Sequence, residues 1–319
     1  MENKKVVSIP VVDFCVMGLH NDEVASDSDE RVQEIASQVC EAFKDIGFVY
    51  LKNHGIPEDE VNRVRQIADE FFLLPVEEKQ KYARAVHGSN HGWTALERER
   101  TNPARPADLK EAFNIEMNKK KWPTTTIPSM KPSFEELFQK CAQLSFRILK
   151  TIGIGLKMQN PEFLVKAHEN IGNSANPTAM RVLFYPPIPN DYVVKKDQVR
   201  CGEHSDYGSI TLLFQDELGG LQVLPVHGDY ISAPTLPGCV IVNIGDLMQR
   251  WTADQFIATK HRVLIPDDES IRILPRSSMA FFAFPDGDTV VECLDGSNKY
   301  PAVTGQDYLE QKFSDTYKY

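Results

Sequence analysis

The residues with the clearest chemical potential lie in segment 202–208, which reads Gly-Glu-His-Ser-Asp-Tyr-Gly. Alternate side chains of an extended chain point to the same side, so His204 and Asp206 can direct an imidazole and a carboxylate at one point. His261, 55 residues after Asp206, offers a third ligand. Two imidazoles and one carboxylate suit a divalent iron ion and leave further coordination positions open. Because His-x-Asp pairs also occur in ordinary loops, this prediction depends on the rest of the chain.

A second group of residues has the chemistry of an anion site. Arg276 and Ser278 stand at alternate positions of a predicted strand and therefore share one face. A guanidinium fork beside a hydroxyl group can bind a carboxylate in a buried site. Tyr185 offers a third hydrogen-bond donor. Each residue also has an ordinary interpretation, as an edge-strand arginine with an alternating serine or as an aromatic residue packed before a proline turn.

Helices and short strands must position these residues. Apolar residues at helical spacing predict helices at 29–46, 58–72 and 134–156, the third with a capping box formed by Ser133 and Glu136. A strand is expected at 48–51. From about Ala179, short β-prone runs separated by turn residues predict a sandwich or barrel. The expected strands are 180–185, 209–214, 221–224, 239–244, 261–265, 279–284 and 290–293, and a terminal helix is expected at 304–317.

Composition limits the functional classes. The 319 residues are 42% hydrophobic and 25% charged, and the net charge is −10. This acidity argues against general electrostatic binding to nucleic acid. No apolar run reaches the roughly 18 residues that a membrane helix needs. The six cysteines include no C-x-x-C pair, which favours reduced thiols. We therefore expect a cytoplasmic enzyme with no nucleic-acid partner and no membrane association.

The order of the motifs resembles a known enzyme family. The chain resembles the 2-oxoglutarate/Fe(II)-dependent oxygenases related to isopenicillin N synthase. The resemblance lies in the order His-x-Asp, then His-Arg-Val about 55 residues later, then Arg-x-Ser-x-x-Phe-Phe-x-x-Pro. Segment 47–56, Gly-Phe-Val-Tyr-Leu-Lys-Asn-His-Gly-Ile, resembles an upstream motif of the family. Segments 219–223, Gly-Gly-Leu-Gln-Val, and 242–246, Val-Asn-Ile-Gly-Asp, resemble motifs between the metal ligands. The resemblance extends over nearly the whole chain.

The resemblance implies a fold and a domain organisation. The fold is mainly β with flanking helices: a double-stranded β-helix, which is a cupin-like jelly-roll, with an N-terminal helical region. Residues 1–178 are expected to form the N-terminal region. Residues 179–319 are expected to form the Fe(II)/2-oxoglutarate core with a C-terminal helix, and the two parts are expected to make one structural unit.

The resemblance also implies roles for individual residues. His204, Asp206 and His261 are expected to ligate iron as the catalytic centre. The residues expected to bind the distal carboxylate of 2-oxoglutarate are Arg276 and Ser278, assisted by Tyr185. The expected cofactors are Fe(II), 2-oxoglutarate as cosubstrate, and O₂. Asn243 is expected to be structural.

Two features depart from the usual family pattern. Leu183 stands where the family often has asparagine, which removes one polar group near the cosubstrate. The span of 15 residues from His261 to Arg276 is longer than usual and is expected to form a surface hairpin loop.

The implied activity is oxidation of a small organic substrate, by hydroxylation or desaturation, with release of succinate and CO₂. Two alternatives stay open. One is an Fe(II) oxidase similar to isopenicillin N synthase or aminocyclopropane-carboxylate oxidase, which uses no keto acid. The other is a non-catalytic binding protein on the same scaffold. Phe113, Phe284 and Phe214 are candidates for the substrate pocket, although each also fits ordinary core packing. We expect a monomer and leave a larger assembly open.

Overall fold

Two β-sheets form the centre of the structure, a computed structural model that describes residues 8–21, 25–85, 90–117, 119–173 and 175–316. The larger sheet has eight strands in the order β1-β2-β10-β7-β12-β5-β4-β3, and the smaller has four in the order β6-β11-β8-β9. Strands β13 and β14 form a separate pair. The strands are β1 (Val11–Asp13), β2 (Phe48–Lys52), β3 (Gly92–Thr94), β4 (Glu111–Ile115), β5 (Ala179–Tyr185), β6 (Cys201–His204), β7 (Ile210–Gln215), β8 (Leu221–Val223), β9 (Ile231–Ser232), β10 (Cys239–Ile244), β11 (His261–Val263), β12 (Arg276–Ala283), β13 (Val290–Val291) and β14 (Val303–Thr304).

Helices pack on the outer face of the larger sheet, where the side chains of α1, α2 and α4 share one apolar core with outward-facing strand residues. A second, smaller core lies between the two sheets and contains Phe48, Tyr185 and Val263. Among the described residues, no helix is long and apolar enough to cross a membrane. The helices are α1 (Glu30–Asp45), α2 (Glu58–Phe72), α3 (Val76–Gln80), α4 (Met130–Gly155), α5 (Phe163–Lys166), α6 (Asp246–Trp251), α7 (Glu269–Arg272) and α8 (Gly305–Thr316).

The N-terminal part of the chain contributes strands as well as helices to this architecture. Strands β1 to β4 belong to the larger sheet, with β2 paired to β10 and β4 paired to β5. The sequence analysis did not predict β3 and β4. All five residues of β4 are buried, two of them polar, so the strand lacks the apolar alternation that marks a half-buried strand. The larger sheet contains strands from both sides of residue 178. The domain boundary expected there therefore stays a prediction.

The long helix α4 begins earlier than expected. It starts at Met130, and the Ser133 amide already donates to the Ser129 carbonyl oxygen (3.1 Å). The predicted capping box at Ser133 is therefore wrong, since this residue lies inside the first turn. Pro132 fits there because amides of the first turn need no partner within the helix.

The turn between α1 and β2 requires glycine. Gly47 has φ +74°, and a Cβ atom built on it would lie 2.0 Å from the Ile257 carbonyl oxygen. The tight turn ends α1 and starts β2 at Phe48, whose ring lies edge-on to that of His261 at 5.5 Å between centroids. The turn thus helps to position a predicted site residue.

The expected fold class is confirmed: two facing sheets with helices outside the larger one form the double-stranded β-helix. The span from His261 to Arg276, expected as a surface loop, contains the one-turn helix α7, whose residues are not buried.

Candidate metal centre and active-site cavity

Strands β6 and β11 bring the three predicted metal ligands together. His204 ends β6, His261 begins β11, and the two residues are register partners. Asp206 follows β6 by two residues. Its Oδ1 atom lies 3.8 Å from His204 Nε2 and 3.7 Å from His261 Nε2. Atoms that each bind one ion at about 2 Å lie roughly 3–4 Å apart, so these separations suit one shared ion.

Hydrogen bonds orient both imidazoles. The Nδ1 atom of His204 lies 2.8 Å from the Gly202 carbonyl oxygen, and that of His261 lies 3.1 Å from the Thr259 carbonyl oxygen. A carbonyl oxygen only accepts, so Nδ1 carries the hydrogen in each ring. Each Nε2 atom therefore presents a lone pair toward Asp206, as a metal ligand requires.

The carboxylate of Asp206 is fixed through one of its two oxygens. Its Oδ2 atom accepts hydrogen bonds from Thr211 Oγ1 (2.6 Å) and Asn243 Nδ2 (2.7 Å), which leaves Oδ1 for an ion. Asn243, which was expected from sequence to be structural, therefore also contacts the carboxylate of Asp206 directly. Thr211 was missed, although alternation along β7 could have placed it on the inner face.

Electrostatics favour the ligand forms of these groups. Burial, followed by the neighbouring His261, lowers the pKa of His204 to about 4. Burial alone would raise the pKa of Asp206, but the two histidines and the bonds from Asn243 and Thr211 outweigh it and lower that pKa. At neutral pH the site therefore holds a neutral His204 beside an ionised carboxylate. This donor set fits a divalent iron ion.

The predicted anion site lies on the neighbouring strands β5 and β12, where Arg276 is the register partner of Tyr185. Arg276 is buried, and its guanidinium carbon lies 4.7 Å from the centroid of the tyrosine ring. Its Nε, Nη1 and Nη2 atoms contact the Gly219 carbonyl oxygen (2.5 Å), Ser278 Oγ (3.4 Å) and Gln215 Oε1 (3.1 Å). Among the described residues, Arg276 has no carboxylate partner within ion-pair distance. The three predicted residues are thus adjacent, and within the described ranges no carboxylate forms an ion pair with the arginine.

A cavity of about 220 Å³ opens beside His204 and Asp206. Leu183, at the position where the family often has asparagine, lies opposite Ser278 and also lines it. Helix α8 contributes two residues to one wall. The apolar and aromatic lining includes Tyr207, Phe282, Phe284, Leu309 and Phe313, and the polar lining includes Glu99, Lys110, Asn114 and Arg181.

Of the three phenylalanines proposed for the substrate pocket, Phe284 lines this cavity. Phe113 and Phe214 do not, and these two assignments are corrected. Phe113 is fully buried against Phe71, with ring centroids 5.0 Å apart, and Phe214 lies edge-on to His54 on the helix side of the sheet. Successive strand residues point to opposite faces, so the residues next to Phe113 and Phe214 in their strands face inward instead.

The polar lining of the cavity is a buried network that sequence reasoning missed. Glu99 forms an ion pair with Arg181 Nη2, and its Oε2 lies 3.9 Å from Lys110 Nζ. Lys110 also contacts Asp108 Oδ2 (2.5 Å) and Thr101 Oγ1 (2.8 Å). Burial alone would raise the pKa of Glu99, but Arg181 and Lys110 outweigh it, so the carboxylate is ionised. Alternation back from Tyr185 along β5 would have identified Arg181 as inward-facing.

Comparisons with known proteins identify the family of the chain. Residues 9–134 match the family described as non-haem dioxygenase in morphine synthesis N-terminal, and residues 177–285 match the 2OG-Fe(II) oxygenase superfamily. A homoarginine-6-hydroxylase of Arabidopsis thaliana is 32% identical, and the match covers 93% of this chain and 91% of the relative. A 2-oxoglutarate-dependent dioxygenase of Aspergillus rugulosus is 30% identical over 85% of this chain and 87% of the relative.

A crystal structure of a full-length Neurospora crassa protein in complex with alpha-ketoglutarate, which is 2-oxoglutarate, and thymine has the same fold. It superposes with a TM-score of 0.85 at 30% identity, covering 99% of each chain. These findings decide between the alternatives in favour of an enzyme that uses the keto acid. The chain therefore belongs to the 2-oxoglutarate/Fe(II)-dependent oxygenases and is an oxidoreductase that uses Fe(II), 2-oxoglutarate and O₂ to oxidise a small substrate.

Proposed function

We propose that His204, Asp206 and His261 hold the Fe(II), and that Arg276, with Ser278 and Tyr185, holds the distal carboxylate of 2-oxoglutarate. One observation carries this proposal. Two imidazole Nε2 atoms and one carboxylate oxygen converge beside a cavity. In each of these side chains the other nitrogen or oxygen atom makes the hydrogen bonds, so the three converging atoms are free to bind an ion.

Each part of the site has a separate task. Bound Fe(II) with 2-oxoglutarate and O₂ supplies the oxidising chemistry, in which the keto acid leaves as succinate and CO₂. Asp206 offsets part of the metal charge, and its bonds to Thr211 and Asn243 fix its orientation. Arg276 anchors the far end of the keto acid by a charge-assisted contact. The apolar wall of the cavity excludes water from the substrate.

Replacement of single ligands tests the metal assignment. We expect His204→Ala and Asp206→Ala to abolish Co(II) binding at micromolar metal and to lower succinate release by at least 100-fold. His227→Ala, at an exposed histidine, is the matched control and should behave like the wild type. Iron-dependent succinate release that is unchanged in His204→Ala would overturn the assignment.

For the substrate, we propose hydroxylation of a small compound that carries an N–H group. Glu99 supports this, because its Oε1 atom is buried and has no hydrogen-bond partner among the described residues. A substrate N–H would satisfy this oxygen, while the facing aromatic side chains would hold a compact apolar part. Thymine, bound in the Neurospora crassa structure, and homoarginine, named for the Arabidopsis relative, both carry N–H groups.

A substrate screen tests this second part. Thymine, uracil, arginine and homoarginine are added separately, and succinate release is measured above the uncoupled rate. We expect at least tenfold stimulation by one of these compounds, and a tenfold or greater rise in its KM in Glu99→Gln. Stimulation by none of the four compounds, or an unchanged KM in Glu99→Gln, would refute the proposed recognition.

The proposal extends to a monomeric, cytoplasmic enzyme without a nucleic-acid partner. The net charge of −10 supports the lack of electrostatic binding to nucleic acid. All six cysteines are free thiols, which supports a reducing compartment. Size-exclusion chromatography with light scattering should give a mass near 36.1 kDa. A mass of twice that value or more would contradict the monomer.

A further inference from the structure

A second arginine lies in the same buried region as Arg276. Arg200 is 1% exposed and comes immediately before β6, four residues before His204. Its guanidinium carbon lies 6.0 Å from the centroid of the Tyr185 ring, the same ring that Arg276 contacts at 4.7 Å. The register of β6 with β11 shifts between Cys201 and His204, so alternation does not give the direction of Arg200. Its approach to the Tyr185 ring, part of the core between the two sheets, places it beside Arg276.

The chain gives Arg200 very few partners. Its Nη2 atom contacts the Leu274 carbonyl oxygen at 3.4 Å, and its Nε atom is buried without a hydrogen-bond partner among the described residues. Within the part of the chain that the structure describes, neither Arg200 nor Arg276 forms an ion pair within 4.0 Å. Asp216, a carboxylate close enough to favour the charged form of Arg200, accepts a hydrogen bond from the Ser277 amide (2.6 Å).

Two buried cations that lack an ion-pair partner within 4.0 Å among the described residues are unfavourable for the ligand-free protein, because burial removes their hydration and their charges repel each other. A ligand that brings a carboxylate between or beside them removes both penalties. The hydrogen bonds that Arg200 leaves unmade are then available to that ligand. Burial and the charge of Arg276 also lower the pKa of Arg200 to about 10, which leaves the group charged at neutral pH.

We infer that Arg200 is a second cationic residue of the 2-oxoglutarate site and acts with Arg276 on the distal carboxylate. This inference rests on the proposed function of Arg276, and it adds a residue that lies outside the Arg-x-Ser motif. A different role for Arg200, in which it only supports the Tyr185 ring by stacking, predicts a different outcome in the test below.

The test compares the wild type with Arg200→Met and Arg200→Lys. Thermal unfolding is measured on metal-free, ligand-free protein, and binding of 2-oxoglutarate and of 2-oxobutyrate is measured by calorimetry on Mn(II)-loaded protein without O₂. 2-Oxobutyrate keeps the keto acid but lacks the distal carboxylate. We expect Arg200→Met to weaken 2-oxoglutarate binding at least tenfold and 2-oxobutyrate binding less than twofold. Arg200→Lys should recover part of the loss.

The ligand-free protein gives a second, independent expectation. Arg200→Met removes an uncompensated buried charge, so its Tm should equal or exceed that of the wild type. Arg147→Met is the matched control, since Arg147 is a partly buried arginine on α4 that binds the Asn21 carbonyl oxygen. It should leave the binding of both keto acids within twofold of the wild type.

Three outcomes would overturn the inference: a folded Arg200→Met that binds 2-oxoglutarate within twofold of the wild type, an equal loss for both keto acids, or failure of both Arg200 variants to fold. The last two would show a purely structural role. A wild type that binds no 2-oxoglutarate would instead refute the proposed function itself.

Discussion

At the scale of single residues, Asp206 shows how hydrogen bonds can prepare a proposed metal ligand. One oxygen accepts two hydrogen bonds, from Thr211 and Asn243, and the other faces the two imidazoles. An oxygen that is already bonded twice is a poor ligand, so the carboxylate is expected to bind through a single atom. A carboxylate that occupies one coordination position leaves more positions for the cosubstrate and O₂.

From this arrangement we predict that Asn243→Ala and Thr211→Val each weaken metal binding 10- to 100-fold, because partners of metal ligands fix ligand orientation. Anaerobic titration with Co(II) measures the affinity. Thr252→Val, which removes a buried hydroxyl bonded to the Met248 carbonyl oxygen, serves as the control and should bind Co(II) normally. Wild-type affinity in Asn243→Ala would show that the orientation of Asp206 is set by other contacts.

Sequence reasoning found the residues that recur at short, regular intervals and missed those that only the fold unites. His204, Asp206, Arg276 and Ser278 form pairs two residues apart, so strand alternation predicts their common direction. Glu99 carries no such local signal. It lies 82 residues from Arg181 in the chain, and only the packing of the loop before β4 against β5 brings the two together.

At the scale of elements, strand β4 separates two functions by the side on which a residue lies. Phe113 packs into the core with Phe71, and Asn114 lines the cavity. The sequence identified this segment as part of the site but selected the residue on the wrong face. The error arises because β4 is buried on both sides, so hydrophobicity does not reveal which side faces the substrate.

We therefore predict different effects for these neighbours. Phe113→Ala should lower the free energy of unfolding by about 3–5 kcal/mol through the cavity it leaves, with 2-oxoglutarate affinity unchanged. Asn114→Ala should lower it by only about 1 kcal/mol, the value of one hydrogen bond, and should raise the KM of the primary substrate. Urea unfolding and steady-state kinetics measure the two quantities. Equal stability losses would contradict the assignment of faces.

A buried ion pair connects helix α3 to β4. Lys79 Nζ contacts Glu111 Oε2 at 2.7 Å and the Phe72 carbonyl oxygen at 2.8 Å, and Trp93 Nε1 donates to the same Glu111 oxygen (2.7 Å). Removal of one partner leaves a buried charge without compensation, whereas replacement of both partners by apolar side chains removes that penalty.

We expect Lys79→Met to lower the free energy of unfolding by about 3–5 kcal/mol, and Lys79→Met combined with Glu111→Leu to recover most of this loss. Urea unfolding of Lys79→Met, Glu111→Leu and the double variant gives the coupling. Lys81→Met breaks an exposed ion pair with Glu78 nearby and should change stability by less than about 1 kcal/mol. A double variant as unstable as the sum of the two single variants would contradict a coupled pair.

At the scale of the whole molecule, an acidic protein encloses a locally basic interior. The net charge is −10, yet Arg200 and Arg276 are buried close to the same tyrosine. This contrast suits a dianionic cosubstrate, which the acidic surface repels and a basic interior would stabilise. The overall charge could be calculated from the sequence. The basic character of the interior could not be predicted from the sequence, because it depends on which charged residues the strands turn inward.

Buried histidines connect the helical layer to the sheets and should make the protein sensitive to acid. His168 is fully buried, its Nδ1 donates to the Leu164 carbonyl oxygen (2.7 Å), and its Nε2 accepts from Ser209 Oγ (2.8 Å). Burial lowers the pKa of His168 to about 4, and burial likewise lowers the pKa of His54 to about 4. Both residues are therefore neutral in the folded protein at neutral pH.

The sign of the pH dependence follows from these values. Below the unfolded-state pKa of about 6.5, the unfolded chain binds a proton at position 168 that the folded chain does not, so stability falls as the pH falls toward 4. His168 alone should account for a loss of about 2 kcal/mol between pH 7 and pH 5. We expect urea unfolding from pH 7.5 to 4.5 to show a weaker slope in His168→Gln than in the wild type, and an unchanged slope in the control His227→Gln. Identical slopes in all three proteins would mean that His168 takes up its proton without unfolding, by exchanging its contact with Ser209.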